Sequence, residues 1–240
     1  MKINLTIPIY NEELVLAENV QKILNFITQG IELQSHQWQI ILADNKSTDK
    51  TTKIAQSLEK KHPKKINYLR IDKKGKGRAI RAGWQKFPAD YYIFMDADLS
   101  TDLSTLPHLI EELENNADVV IGSRYLPKSV IQRSFGRKII SKIYHWLGQQ
   151  ILNLPFSDLP CGFKGVNQKI IDNVLPRIKN QEWFFDTELL YRAQKEKYKI
   201  KEMPVKWTET LNQKRKSRVG LLRVSAKYLT ELLKIKMASD

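Results

Sequence analysis

A single cysteine, Cys161, stands among the 240 residues, so the chain holds no internal disulfide and a reducing compartment is the simpler setting. No run approaches the roughly 18–20 uninterrupted apolar residues of a membrane-spanning helix. The opening MKINLTIPIYNEE has no extended apolar core of a leader and reads directly as a strand. These absences predict a cytoplasmic chain that, where it meets a membrane, lies peripherally on the cytoplasmic face. His36, His62, His108 and His145 lack metal-ligand spacing and read as surface or packing residues. Acidic residues are in deficit: 26 Asp plus Glu against 40 Lys plus Arg, a formal charge of +14. Such a balance favours anionic partners, whether nucleic acid, an anionic bilayer or phosphorylated substrates. The 42% hydrophobic content suits one large α/β domain or two small ones and excludes a disordered chain.

Short apolar runs alternate with helical patterns through the first half. Strands are predicted over residues 3–8, 39–43, 66–71, 91–95 and 119–122. Helices are predicted over 13–28, after a Ser47-Thr48-Asp49 cap, and over 79–87 and 106–115. Strands this apolar, separated by helices, imply a mostly parallel, Rossmann-like α/β sheet covered on both faces. Ligands of such sheets bind beyond the carboxyl ends of the strands. The rhythm then changes: a long helical pattern over 134–154, a loop rich in Pro, Asp and Gly over 155–165, and helices near 168–174 and 185–196. A strand over 200–207 and an amphipathic helix over 219–236 complete the series. One domain over residues 1–211, followed by a basic amphipathic extension over 212–240, is the expected organisation.

The strand ends carry the polar chemistry. Residues 91–95 run into Asp96-Ala97-Asp98, and two carboxylates so placed can hold Mg²⁺ or Mn²⁺, which can bridge diphosphate oxygens. A bare D-x-D also serves as a plain polar loop and helix cap. Asp44, at the second strand end, is placed to accept hydrogen bonds from a base or ribose. Lys74-Gly75-Lys76-Gly77-Arg78 offers glycines for close backbone approach and cations for phosphate, but it is not a P-loop, because G-x-x-x-x-G-K-[ST] is absent.

Taken in order, Pro8-Ile9-Tyr10-Asn11-Glu12-Glu13, residues 44–49, the Gly-Lys-Gly segment and Asp96-Ala97-Asp98 resemble the family 2 glycosyltransferases of GT-A fold. Downstream, Gly122-Ser123-Arg124-Tyr125, Asp158-Leu159-Pro160-Cys161-Gly162-Phe163-Lys164 and Trp183-Phe184-Phe185-Asp186-Thr187-Glu188 resemble the polyprenyl- and dolichyl-phosphate hexose synthases. The C-G-F-K form is most similar to the dolichyl-phosphate glucosyltransferases, and the likeness covers about residues 3–210. It implies that Pro8, Tyr10, Glu12 and Asp44 line a nucleotide-sugar pocket, with Lys76 near the base or ribose. Asp96 and Asp98 would engage metal and diphosphate. Arg124, Arg137 and Ser141 would face an acceptor phosphate, and Asp186 and Glu188 would sit near sugar and acceptor, catalytic together with Asp98 and Arg124. The implied reaction is inverting transfer of a hexose to a polyprenyl or dolichyl phosphate, with UDP-glucose the preferred donor and GDP-mannose next. One departure stands out: the second strand ends Asp44-Asn45, where two aspartates are usual.

Residues 137–154 and 219–236 set apolar positions beside lysines and arginines, a pattern suited to helices lying in a headgroup layer. The same pattern serves ordinary packing with solvated charges. A family 2 enzyme acting on a saccharide or other non-lipid acceptor is the nearest alternative reading. A sugar nucleotidyltransferase normally has a Gly-rich, Arg-containing loop after its first strand, which Pro8-Ile9-Tyr10-Asn11-Glu12 is not. A nucleic-acid binder is suggested by the charge and by Gln213-Lys214-Arg215-Lys216-Ser217-Arg218, yet no nucleic-acid motif appears. The expected partners are therefore a nucleotide-sugar, a lipid phosphate and a membrane surface, without nucleic acid.

Overall fold

Ile3, Leu5, Ile7 and Ile9 alternate with Asn4, Thr6 and Pro8 along β1 (Lys2–Ile9), and nearly all of these residues are buried. A strand covered on both faces belongs in the interior of a sheet. The computed structural model, which describes residues 1–132, 148–209 and 221–237, places it there. The chain continues through α1 (Leu16–Gln29), α2 (Ile31–Gln34), β2 (Gln37–Asp44), α3 (Thr51–Lys61), β3 (Ile66–Arg70) and α4 (Lys76–Lys86). Next come β4 (Tyr91–Met95), α5 (Leu106–Glu114), β5 (Val119–Ser123), β6 (Val130–Gln132), β7 (Phe163–Asn167) and α6 (Gln168–Asn173). α7 (Phe185–Lys195), β8 (Ile200–Pro204), β9 (Lys206–Thr208) and α8 (Leu221–Met237) follow.

Seven strands form one sheet in the order β3-β2-β1-β4-β7-β5-β8, and β6 pairs with β9 in a small separate ribbon. Every pairing in the large sheet is parallel except those of β7, which runs antiparallel between β4 and β5. The mostly parallel sheet expected from the sequence is present. β7 is the correction: residues 155–165 were expected to be loop, and their last three begin this strand. Its register sets Met95 opposite Phe163, so the chain enters β7 beside the end of β4.

Successive residues of a strand face opposite sides, and the core divides accordingly. Ile93 and Met95 of β4 join α1 and α5 through Leu16, Val20, Ile23, Leu106 and Leu109. Tyr92 and Phe94 join α4, α7 and α8 through Ile80, Trp84, Leu189, Leu190, Leu232 and Ile235. Each fully buried side chain of this kind stabilises by about 1.5–3 kcal/mol relative to exposure. Asn4, buried within β1, donates from Nδ2 to the carbonyls of Gly83 and Phe87 at 3.1 and 2.8 Å and so fixes α4 against the sheet. No helix among the described residues is long and apolar enough to cross a membrane.

Candidate active site

The carboxyl ends of the first four strands share a backbone feature. Asn11 follows β1 with φ 53°, Lys46 follows β2 with φ 63°, Gly75 follows β3 with φ 152°, and Leu99 follows β4 with φ 52°. Non-glycine residues adopt such values rarely, and they cluster where loops are held for function. Here the loops hold one another. The Asn11 N–H donates to Ser47 Oγ at 3.0 Å, the Thr48 N–H to Asn11 Oδ1 at 2.7 Å, and the Glu12 N–H to Thr51 Oγ1 at 2.6 Å. Asn45 Oδ1 accepts the Gly75 N–H at 2.7 Å, so the asparagine that departs from the usual acidic pair ties the second loop to the third. Tyr10 stands at this edge with the Lys74 ammonium 4.4 Å from its ring centroid.

Asp44 lies in this edge but is not free to meet a base or ribose. Its carboxylate is fully buried. Oδ1 accepts from the Ser47 N–H at 2.8 Å, and Oδ2 accepts from Thr52, Tyr68 and Arg70 at 2.6, 3.0 and 2.8 Å. Burial alone would raise its pKa, but the hydrogen bonds from Thr52, Ser47 and Tyr68 outweigh it and hold the group below the usual carboxylate value. Asp44 therefore fixes the loop after β2. Ser47 and Thr48 serve these loop contacts, and Asp49, expected as part of the helix cap, accepts the Thr51 N–H on Oδ1 at 2.9 Å. Pro8 pairs with Ala43 at the strand end, and Glu12 is buried, its carbonyl accepting the N–H groups of Val15 and Leu16 where α1 begins.

The D-x-D loop is fastened from three sides. Asn19 of α1 donates from Nδ2 to the Ala97 carbonyl at 2.9 Å, Asp98 Oδ1 accepts the Ser100 N–H at 3.1 Å, and the Thr208 N–H of β9 donates to the Ser100 carbonyl at 2.8 Å. Asp98 also borders a cleft shared with Asn19, Lys22 and Phe26 of α1. Among the described residues no three acidic, histidine or cysteine side chains converge as a complete metal cage. The donor set still suits a hard divalent cation. Mg²⁺-type ions use one or two carboxylates and complete their shell with water and substrate phosphate, and the Asp96 side chain keeps 43% of its surface exposed.

Gly162 belongs to this arrangement. The Asp96 N–H donates to its carbonyl at 3.1 Å, and a Cβ at Gly162 would lie 1.8 Å from Asp96 Oδ2. Gly162→Ala should thus displace the Asp96 carboxylate, at an overpacking cost of about 1–3 kcal/mol. Activity is expected to fall at least about tenfold if the shift costs the reacting state as little as 1.4 kcal/mol. Turnover measured beside the urea midpoint separates the two effects, and full activity in the folded variant would contradict the contact.

Lys76 is buried and joins two carboxylates: Nζ lies 2.9 Å from Asp96 Oδ1 and 3.6 Å from Asp186 Oδ2. Burial would lower its pKa, but Asp186 and then Asp96 outweigh that effect and hold it above an ordinary lysine. Its expected place near the base or ribose is therefore corrected to the D-x-D. Asp186, also buried, meets a second lysine that the sequence did not single out. Lys164, fully buried in β7, approaches Asp186 Oδ1 at 3.4 Å and donates to the carbonyls of Leu159 and Cys161 at 3.0 and 2.5 Å. Asp96, Lys76, Asp186 and Lys164 form a row of alternating charge from the edge of the sheet inward. Its signal in the sequence is a lysine framed by glycines, Gly162-Phe163-Lys164-Gly165, directly after the cysteine.

Two further expectations change. Arg124 was expected to face an acceptor phosphate. Its fork lies on Asp158 instead, with Nε to Oδ2 at 2.6 Å and Nη2 to Oδ1 at 2.8 Å, and its own N–H also donates to Oδ2 at 2.9 Å. Trp207 and Tyr125 lie over the guanidinium at 5.4 and 5.8 Å. Burial opposes the charge, but Asp158 outweighs it and raises the Arg124 pKa. Glu188 was expected near the sugar. Its carboxylate instead accepts the N–H groups of Lys179 and Asn180 at 2.9 and 2.7 Å and the Arg192 Nε at 2.7 Å, which fixes the 179–182 loop. Arg137 and Ser141, and most of the 134–154 helical pattern, lie outside the described residues.

Cys161 is 1% exposed, and burial, with Asp158 beside it, pushes its thiol up to about 12. The thiolate is the reactive form, so the native protein should resist alkylation by iodoacetamide at pH 8 and react once unfolded. Mass spectrometry of this single cysteine reads the result directly; rapid labelling of the folded protein would contradict the buried placement.

A parallel-sheet edge carrying a D-x-D, with an ammonium bridging it to a further buried carboxylate, defines a GT-A type nucleotide-sugar enzyme. Residues 5–175 match the profile of glycosyl transferase family 2, and the chain belongs to that family. It is 30% identical over 260 aligned residues to dolichyl-phosphate beta-glucosyltransferase of Saccharomyces cerevisiae, covering 98% of this chain and 74% of that one. Dolichol-phosphate mannosyltransferase of Pyrococcus furiosus is 32% identical over 179 residues, 72% of this chain and 48% of its own. Glycosyltransferase AglD of Haloferax volcanii is 28% identical over 210 residues, and the chain spans only a third of its length (33%). Among solved structures, glucosyl-3-phosphoglycerate synthase of Mycobacterium tuberculosis, crystallised with Mn²⁺, UDP and glucosyl-3-phosphoglycerate, shares the fold. Its TM-score is 0.69 at 14% identity, over 98% of this chain and 79% of that one.

Proposed function

We propose that this glycosyltransferase moves a hexose from a nucleotide-sugar to the phosphate of a polyprenol or dolichol, with inversion at the anomeric carbon. UDP-glucose is the preferred donor and GDP-mannose the next. The observation that carries this reading is the 30% identity to a dolichyl-phosphate beta-glucosyltransferase over 98% of the chain, with the charged row at the strand ends supplying the chemistry. A lipid phosphate is already anionic at neutral pH, so its oxygen can attack the anomeric carbon without a general base. The protein must align donor and acceptor and stabilise the charge of the departing diphosphate. Asp96 and Asp98 would hold Mg²⁺ or Mn²⁺, which supplies counter-charge to that diphosphate. Lys76, held by Asp96 and Asp186, adds a fixed positive charge in a site where little water dilutes it. Arg137 and Ser141 are proposed to receive the acceptor phosphate, and Arg124 to support them by fixing Asp158 and the turn around it.

The catalytic domain is proposed to span residues 1–211, and the extension from 212 to lie on a membrane surface. α8 supports the second point. Leu229, Leu233 and Met237, spaced four apart along one helix face, are 39%, 50% and 79% exposed, while Leu232 and Ile235 are buried against the domain. Lys234 and Lys236 are exposed on the same helix. An outward apolar stripe with lysines nearby suits a headgroup layer, where the ammonium groups reach the phosphates. A panel of radiolabelled nucleotide-sugars offered with polyprenyl phosphate, with and without divalent metal, tests the donor. Label should enter organic-extractable lipid from UDP-glucose first and only in the presence of metal. Transfer only to a saccharide would overturn the acceptor reading.

A further inference from the structure

The glycines of the 74–78 segment are explained by what lies against them. A Cβ on Gly75 would come within 2.2 Å of the Gln181 carbonyl oxygen, and one on Gly77 within 2.4 Å of Phe185 Cβ. The Gly77 N–H donates to the Glu182 carbonyl at 3.2 Å and the Arg78 N–H to the Gln181 carbonyl at 2.9 Å. The free amides of the first turn of α4, which the sequence offered to a phosphate, are thus taken by residues 181 and 182. Residues 181–185 lie across that turn, latched by their own backbone.

Trp183 sits in the middle of this latch. The Lys76 ammonium lies 5.3 Å from its ring centroid, so the indole stands beside the Asp96–Lys76–Asp186 bridge. Its neighbours Phe184 and Phe185 are 4% and 1% exposed, whereas Trp183 is 50% exposed. A large aromatic left half in water adds little to folding, yet this one is held by a backbone pinned on both sides. Such a ring presents a rigid, flat apolar face next to fixed charges. A pyranose is complementary to that combination, because one face of the sugar is lined with C–H groups and its rim with hydroxyls. An aromatic in this position contributes contact area with little conformational entropy to lose.

We propose that Trp183 is the stacking platform for the hexose of the nucleotide-sugar donor, with Lys76 and Asp186 placed for the hydroxyl rim. The inference rests on the donor class proposed above. It is tested by equilibrium binding of UDP-glucose and of UDP alone, each with Mn²⁺, to the wild-type chain, Trp183→Ala and Trp183→Phe. GDP-mannose and GDP form a second arm. Trp183→Ala should weaken the sugar nucleotide about tenfold, a stacking contribution near the upper end for an aromatic pair. The free diphosphate should stay within about twofold, well under half of one tenfold step of 1.4 kcal/mol. Trp183→Phe should recover most of the loss, and the melting temperature should not move, since the ring is half exposed. Equal weakening of UDP and UDP-glucose, or no weakening of either, would overturn the proposal. So would a change confined to the KM of the lipid acceptor, which would place the ring at the lipid. If wild type binds UDP and GDP but neither sugar nucleotide tighter or weaker in Trp183→Ala, the donor reading survives and the stacking role does not. If wild type binds none of the four, the donor reading itself fails.

Discussion

Replacing Asp98 by alanine is expected to lower transfer by at least about a thousandfold, the scale set by removing one fixed electrostatic contact to a developing charge. The loop around it has other fastenings. Ala97 is held by Asn19, and Ser100 by Thr208, so the backbone should keep its path when the carboxylate is gone. The lost contact within the fold is the Asp98 Oδ1 to Ser100 N–H bond at 3.1 Å, worth about 0.5–1.5 kcal/mol. A small drop in melting temperature beside a near-complete loss of turnover is the expected pattern. Asp98→Asn should keep most of the stability, since an amide oxygen still accepts from Ser100, and should recover little of the activity. Turnover within about tenfold of wild type, the reach of a single ordinary contact, would remove Asp98 from the chemistry.

Arg124→Ala should act chiefly on stability. Asp158 is fully buried and receives the Arg124 fork on both oxygens. Removing one partner of such a pair leaves an uncompensated charge and costs about 3–5 kcal/mol. A second replacement, Asp158→Ala in the Arg124→Ala background, should return part of that loss, because the stranded charge is then gone. Arg124→Lys should fall between, since an ammonium cannot fill both carboxylate oxygens in the planar geometry of a guanidinium. Urea denaturation of the four proteins forms a double-mutant cycle with an expected coupling well above 1 kcal/mol. The reading taken from the motif alone gives the opposite pattern: a stable Arg124→Ala protein whose acceptor KM is raised. That outcome would return Arg124 to the acceptor site.

The contrast shows what the sequence carries and what it does not. The parallel strands were legible because they are continuous apolar runs between helical patterns, and the strand ends pointed to Asp96, Asp98 and the 44–49 loop. β7 was not legible. Its interior holds Lys164 and Gly165, residues depleted in strands, and proline and glycine stand just before it. Lys164 is tolerated there only because the carbonyls of Leu159 and Cys161 and the Asp186 carboxylate surround it, a fact of tertiary structure. The same limit explains Asp44, Arg124 and Glu188. Each motif marked a charged residue at the right edge of the sheet, but which partner takes the charge depends on chain segments far apart in sequence. Gly75 and Gly77 were read as room for a ligand backbone, and the backbone they admit is residues 181 and 182.

The central claim is transfer of a hexose to a lipid phosphate, and one measurement tests it most directly. Purified full-length protein is incubated with UDP-[¹⁴C]glucose, Mn²⁺ and detergent-dispersed dolichyl phosphate, and the organic phase is counted and its product hydrolysed in mild acid. The expected result is label in the organic phase that depends on both dolichyl phosphate and metal, is released by mild acid as glucose, and is lost in Asp98→Ala. Label that stays in the aqueous phase whether or not dolichyl phosphate is present, with the donor consumed, would contradict the account.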